Sequence, residues 1–207
     1  VFSVPSSLQR LHDQIDGWLD LRQPERALEL LAPMLADDAG RPAGLVLRVR
    51  ALARLGRFAD ALPDLVELRE RDATDDWVDL TQAWCMKRTG DLRGAVACLE
   101  RLLVRDHRND AAHFNLGCYL TLLGERDRAI DEVTLACGLD DEYRDFARDD
   151  PDLDGLRTDP RFRSLLREEA RAEPDEDGDG GEEGGEDDGD EPGGGGGPRR
   201  RDPHRRN

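Results

Sequence analysis

The chain has 207 residues and a formal charge of −17, with 37% of its residues charged and 37% hydrophobic. That length suffices for one folded domain and a tail without disulfides or a structural metal to hold them. Twelve acidic residues fall within 173–191, where no Lys or Arg occurs; residues 1–172 carry 25 basic and 34 acidic side chains, a formal −9, which disfavours nucleic acid as a ligand of the folded part.

Val1 to Pro5 lack a basic stretch leading into an apolar one, and no window approaches the roughly 18 apolar residues of a membrane-spanning helix. The expectation is a soluble, cytoplasmic protein with no membrane contact. Cys85, Cys98, Cys118 and Cys137 stand singly inside helical patterns with no C-x-x-C pair, and read as reduced, structural thiols. The basic residues are almost all Arg, Lys87 being the single lysine, which reads as a coding bias rather than selection for bidentate recognition.

Taken from the N-terminus, two interleaved series share a period of 34 residues: Ala27, Ala61, Ala95 and Ala129, and Gly56, Gly90 and Gly124. Similar wording surrounds them in LARLGRFADAL, KRTGDLRGAV and LLGERDRAI. Each reads as helix, Gly-centred turn, helix. The Gly ends the first helix where a left-handed conformation is cheap, and the Ala five residues on allows two helices to cross closely. Leu28 and Leu31, Leu62 and Leu65, Val96 and Leu99, and Ile130 and Val133 follow at helical spacing as the core face of every second helix.

With these motifs in hand, the chain resembles the tetratricopeptide-repeat family, in the manner of small bacterial members. That family's 34-residue units carry small residues at positions eight and twenty and a Gly at fifteen. NLGCYLTLLGERDRAI and QAWCMKRTGDLRGAV are the most family-like stretches. The resemblance implies an all-α solenoid of about four helical hairpins, 8–41, 42–75, 76–109 and 110–143, with a helical capping segment over 144–172. Arg22 stands where the first turn Gly is expected, and Ile15 and Val49 replace the small eighth residue.

Past the fourth unit, Asp150-Pro151 and Asp159-Pro160 each place a capping residue before a first-turn proline and predict two short helices. Leu153, Leu156, Phe162, Leu165 and Leu166 are available to cover the apolar end of the solenoid. Residues 173–207 read as a disordered acidic, Gly-rich tail that ends in the basic cluster PRRRDPHRRN.

No nucleophile elbow, phosphate loop, H-E-x-x-H or dinucleotide fingerprint is present, so no enzyme activity, catalytic residue or cofactor is expected. His107, His113 and Cys118 lack metal-ligand spacing, and the acidic run has no EF-hand pattern, so no metal is expected. In the family, the first helix of each unit lines a concave face. Carried over by position, the resemblance puts Arg50, Arg54, Trp77, Leu80, Trp84, Lys87, Arg88, Phe114 and Cys118 there.

These side chains suit a protein or peptide partner with carboxylates and an apolar anchor. The competing reading packs Trp84 between helices and leaves the Arg side chains solvated. The chaperone-carboxylate clamp found in one subclass of the family is not expected, since Leu80 and Trp84 stand where it needs polar groups. The functional expectation is a non-catalytic adaptor or scaffold. The alternative is that the C-terminal Arg cluster anchors the chain to nucleic acid or an acidic partner. The tail, spanning on the order of 28 Å, is also long enough to fold back on the basic groove.

Overall fold

The computed structural model of the chain describes residues 2–72 and 74–167. Each Gly of the 34-residue series ends a helix: Gly56, Gly90 and Gly124 have φ of 70°, 89° and 82°. The next amide donates to the carbonyl five residues back, Arg57 to Leu52, Asp91 to Met86 and Glu125 to Leu120, each at 2.9 Å. This bond satisfies a carbonyl that the helix end would otherwise leave without a partner. In the first unit Arg22 takes the Gly position with φ 56°, and Gln23 donates to Trp18 at 2.8 Å.

All four turns therefore use one design, and in the first an arginine bears the strain. The left-handed region costs a non-glycine residue about 1–2 kcal/mol, offset in part by glycine's greater loss of chain entropy. Arg22→Gly is expected to raise stability by about 0.5–1 kcal/mol. A urea midpoint that stays unchanged or falls would refute strain at this turn.

The turns join four pairs: α1 (Gln9–Asp20) with α2 (Pro24–Glu29) and α3 (Ala32–Ala36), α4 (Arg41–Arg54) with α5 (Phe58–Arg71), α6 (Asp76–Arg88) with α7 (Leu92–Arg105), and α8 (Asp110–Leu123) with α9 (Arg126–Leu139). No strand occurs among the described residues. The second helix of a pair also packs on the first helix of the next, α5 on α6 and α7 on α8, which makes the array an all-α solenoid. Ala27, Ala61, Ala95 and Ala129 are completely buried. Gly117, at the eighth position of its unit, lies so close to α9 that a Cβ would come 2.5 Å from Cγ2 of Val133 and 3.1 Å from the Ala129 carbonyl oxygen.

The first pair departs from the pattern, because its second helix is broken between α2 and α3. Pro33 has no N–H to offer the Glu29 carbonyl, and the amides of Leu30 and Leu31 bond only three residues back, at 3.3 and 3.4 Å. Pro63 lies inside α5 without ending it. A further 34-residue series, which the sequence reading did not single out, builds the links between pairs. Asp72, Asp106 and Asp140 accept through their carboxylates from the amides two residues on, Thr74, Arg108 and Glu142, at 2.9, 3.1 and 2.9 Å. These Asx turns release the chain from one helix and aim it at the next.

After α9 come α10 (Glu142–Asp149), the 3₁₀ helix η1 (Pro151–Leu156) and α11 (Pro160–Leu165). Asp150 and Asp159 cap the last two by accepting from Asp152 and Arg161 at 2.9 Å, and the first of these elements is a 3₁₀ turn rather than an α-helix. Leu153, Leu156 and Phe162 are fully buried; η1 packs mainly on α8, and α10 and α11 pack on α9. The last five residues of the expected capping segment, 168–172, and the expected tail, 173–207, lie outside the described residues.

Candidate protein-binding face

Asp79 and His113 stand 34 residues apart, where the first two units have Leu11 and Leu45. Both are buried, and each is matched from the second helix of its own pair. Asp79 accepts from Arg101 Nη2 at 3.3 Å and Arg105 Nη1 at 3.1 Å, and the thiol of Cys98 donates to its backbone carbonyl at 3.4 Å. The ring nitrogens of His113 lie 2.6 Å from Oε2 of Glu132 and 3.1 Å from the carbonyl oxygen of His107. His113 is thus a structural side chain, engaged away from Cys118.

The pair α4–α5 carries two more bridges. Arg48 is bidentate to the buried carboxylate of Asp64. Arg41 is bidentate to Glu67 at 2.6 and 2.8 Å, and Arg71 joins the same carboxylate at 3.0 Å. These guanidinium bonds hold the Glu67 carboxyl down at about 2, below the usual carboxylate range. Because the folded value is depressed, the stabilisation is complete above the unfolded value near 4.3 and is lost as pH falls through about 2. Glu67→Gln should therefore flatten this chain's loss of stability between those limits. An acid-unfolding profile as steep as the parent's would contradict the assignment.

The nine side chains selected from the sequence divide into three groups. Arg50 Nη1 donates to Asp16 at 2.5 Å, and Arg54 donates to the carbonyl oxygen of Leu19, so both bind α4 back to α1. Burial, with Arg50 nearby, lowers the Arg54 guanidinium from its ordinary value.

Trp77 and Trp84 are half-buried against the cluster formed by α4, α5 and α6. The Trp84 ring meets Phe58 edge-on, centroids 4.9 Å apart and planes at 84°. Trp84 thus packs its ring against α5. Arg88 is exposed, and its guanidinium lies 4.8 Å over the same Phe58 ring, with no ion pair among the described residues.

The third group lies under the C-terminal segment. Leu80 is half-buried against the cluster that spans α6 to α11. Lys87 donates to the Asp152 carboxylate and lies 5.6 Å over the Tyr119 ring. Phe114, only 5% exposed, stacks on Tyr143 with centroids 4.9 Å apart. Cys118, 2% exposed, directs its thiol at Asp150 Oδ2, 3.8 Å away. Phe114 and Cys118 therefore present almost no free surface, contrary to the expectation that both lie open to a partner. That expectation missed the path of the chain after α9, which folds back over α8.

The sulfur of Cys118 and one carboxylate oxygen each of Asp150 and Asp152 lie within 4.8 Å of one another, a set that could hold a cation. The Lys87 ammonium already supplies positive charge to Asp152. Burial and the two carboxylates hold the Cys118 thiol well above its ordinary value, which opposes the thiolate a metal would need. Burial likewise raises Cys85 to about 12 and Cys98 to about 11. All four cysteines are buried, and none forms a disulfide among the described residues.

No protein-family model and no curated protein matches this chain. Solved structures do. MamA from Desulfovibrio magneticus RS-1, from its residue 41 to the end, is 16% identical with a TM-score of 0.64 over 83% of this chain and 100% of that one. A thermophilic tetratricopeptide-repeat protein of Thermus thermophilus is 22% identical with a TM-score of 0.57, over 79% of this chain and 89% of that one.

The fold is a tetratricopeptide-repeat solenoid.

Within a tetratricopeptide-repeat array α4, α6 and α8 are the first helices of successive units. The Arg50–Asp16 bridge and the Lys87–Tyr119 contact each run from one first helix to the next. Their equivalent positions thus share the face that these helices build together. Along it the named charges run acidic at Asp16, basic at Arg50, Arg54, Lys87 and Arg88, and acidic again at Asp150 and Asp152, with the cations at both ends already engaged. No described helix is long and apolar enough to cross a membrane.

Proposed function

We propose that this chain is a non-catalytic protein-binding scaffold, or adaptor, that receives its partner on the face built by α4 and α6. The observation that carries the reading is Arg88. Its exposed guanidinium has no carboxylate partner among the described residues and lies over the Phe58 ring, which the half-buried Trp84 ring meets edge-on, with half-buried Trp77 near the other end of α6. An arginine fixed on an aromatic platform loses little entropy when it forms a bidentate bond, and aromatic residues beside arginine are the side chains most enriched at binding hot spots.

Because Arg50, Arg54 and Lys87 are engaged within the chain, the partner calls for one anionic group next to an apolar anchor rather than a run of carboxylates. Four buried thiols outside any disulfide suit a reducing compartment, and the reading puts the protein in the cytoplasm.

The test is affinity capture from the native cells with the full chain, followed by titration of each captured protein against Arg88→Glu and Trp84→Phe. Arg88→Glu alters an exposed side chain and leaves the core intact. A partner of this face should bind at least tenfold more weakly to it, and Trp84→Phe should cost less. Partners that bind both variants as they bind the parent would reject the face.

A further inference from the structure

One continuous stretch of the chain, 143–155, covers the inner surface of the fourth unit. Tyr143 stacks on Phe114 and reaches Asp110 with its hydroxyl at 3.4 Å. Asp150 receives the Cys118 thiol, and Asp152 receives the Lys87 ammonium. Gly155 sits so close to Thr121 that a Cβ there would meet its methyl group at 3.1 Å. Lys87, Phe114 and Cys118 are three of the positions that the resemblance to tetratricopeptide repeats implies for ligand contact. Their occupant has the composition expected of a ligand: an aromatic ring, then two carboxylates one residue apart, then buried Leu153 and Leu156.

The seat is not neutral, since the Asp150 and Asp152 carboxylates lie within 4.8 Å of each other and the Lys87 ammonium pairs with Asp152. Burial, with Asp152 beside it, raises the Asp150 carboxyl above its ordinary value. The elements that carry the contacts are an eight-residue helix and a six-residue 3₁₀ turn, neither stable alone. Local opening of such a segment is the motion expected ahead of global unfolding.

We infer that residues 143–156 are a resident ligand of the α6–α8 face, and that this face accepts in their place a partner segment of the same chemistry: an aromatic residue followed by an Asp-x-Asp-Leu motif. Such a partner restores the contacts that the resident segment gives up, so exchange need not leave Leu-lined surface open to water. The inference deepens the reading of the inner face as a protein-binding surface by adding a second, covered half to it.

The probe is a fluorescent synthetic peptide with the sequence of residues 141–158, titrated into the full chain. Asp152→Lys loosens the resident segment and should tighten peptide binding at least tenfold over the parent. Adding Lys87→Glu should abolish the gain, because the peptide's own Asp-x-Asp then meets a carboxylate. Should Asp152→Lys fail to fold, Tyr143→Ala, which removes one stacked ring, takes its place.

Hydrogen exchange on the unaltered chain supplies an independent arm. Amides of 143–156 should exchange at least a hundredfold faster than those of α8. Equal protection of the two, or no tighter peptide binding by either loosened chain, overturns the inference. A chain that keeps Arg88-dependent partners yet refuses the peptide loses only the resident-ligand reading. One that takes the peptide but shows no Arg88-dependent partner loses only the α4–α6 face.

Discussion

Phe162→Ala is expected to destabilise the protein by about 3–5 kcal/mol, the usual cost of deleting a fully buried aromatic side chain and leaving a cavity behind. Phe162 has no exposed surface and sits in the cluster that joins α6 to α11, where α11 covers α9. In a solenoid each unit is held by its neighbours, so the apolar end of the last pair is stable only while something covers it. Phe162→Leu, which keeps most of the volume, should cost about 1–2 kcal/mol. The check is urea unfolding followed by far-ultraviolet circular dichroism. A loss below about 1 kcal/mol for the alanine variant would mean that α11 stands outside the cooperative unit.

Asp79→Ala is the second large effect, at about 2–3 kcal/mol. Removing a fully buried carboxylate takes the shared acceptor from Arg101 and Arg105 and an acceptor from the face of α6 against which Cys98 packs. The loss falls below that of a fully enclosed pair because the two guanidinium side chains are 42% and 30% exposed and can turn to water, and Arg105 keeps Asp76 at 2.5 Å. Asp79→Leu puts back the residue that stands at the equivalent place in the second unit, and should recover about half of the loss or more, as apolar replacement of buried ion pairs often does. Calorimetric melting of both variants decides it, and equal losses would show that the ion pair rather than the filled volume matters at this site.

The parts of the fold legible in the sequence are those where one residue type answers one local demand. A left-handed turn calls for glycine and a close helix crossing for alanine, so the Gly56 and Ala27 series reported the hairpins and their period. Aspartate serves the Asx turns at Asp72, Asp106 and Asp140 equally regularly, but in a chain so rich in carboxylates the signal was drowned. Asp79 and His113 carried a readable mark as well, polar residues at a position that is leucine in two units.

What pairs with them, Arg101, Arg105 and Glu132, lies on the opposite helix, where spacing along the chain gives no register. For the candidate face, the sequence offered residue types and repeat positions but not which of those side chains are already engaged within the chain. Whether Lys87 or Cys118 is free depends on where a proline-led 3₁₀ turn lands after α9, a matter of tertiary packing that local pattern does not encode. Pro33 shows the same limit from the other side, because it splits one helix while Pro63 leaves another whole.

The first hairpin has a consequence of its own. It combines the arginine at a turn built for glycine with a second helix cut in two, so its own helices are the least regular of the four pairs, and α1 is expected to fray at low cost. When α1 frays, Arg50 loses Asp16 and Arg54 loses the Leu19 carbonyl, and two cations are released beside Arg88. The same local melting that makes this end vulnerable to a protease would turn a nearly charge-balanced face into a basic one. The affinity of the inner face for acidic proteins would then rise with temperature before the rest of the solenoid gives way.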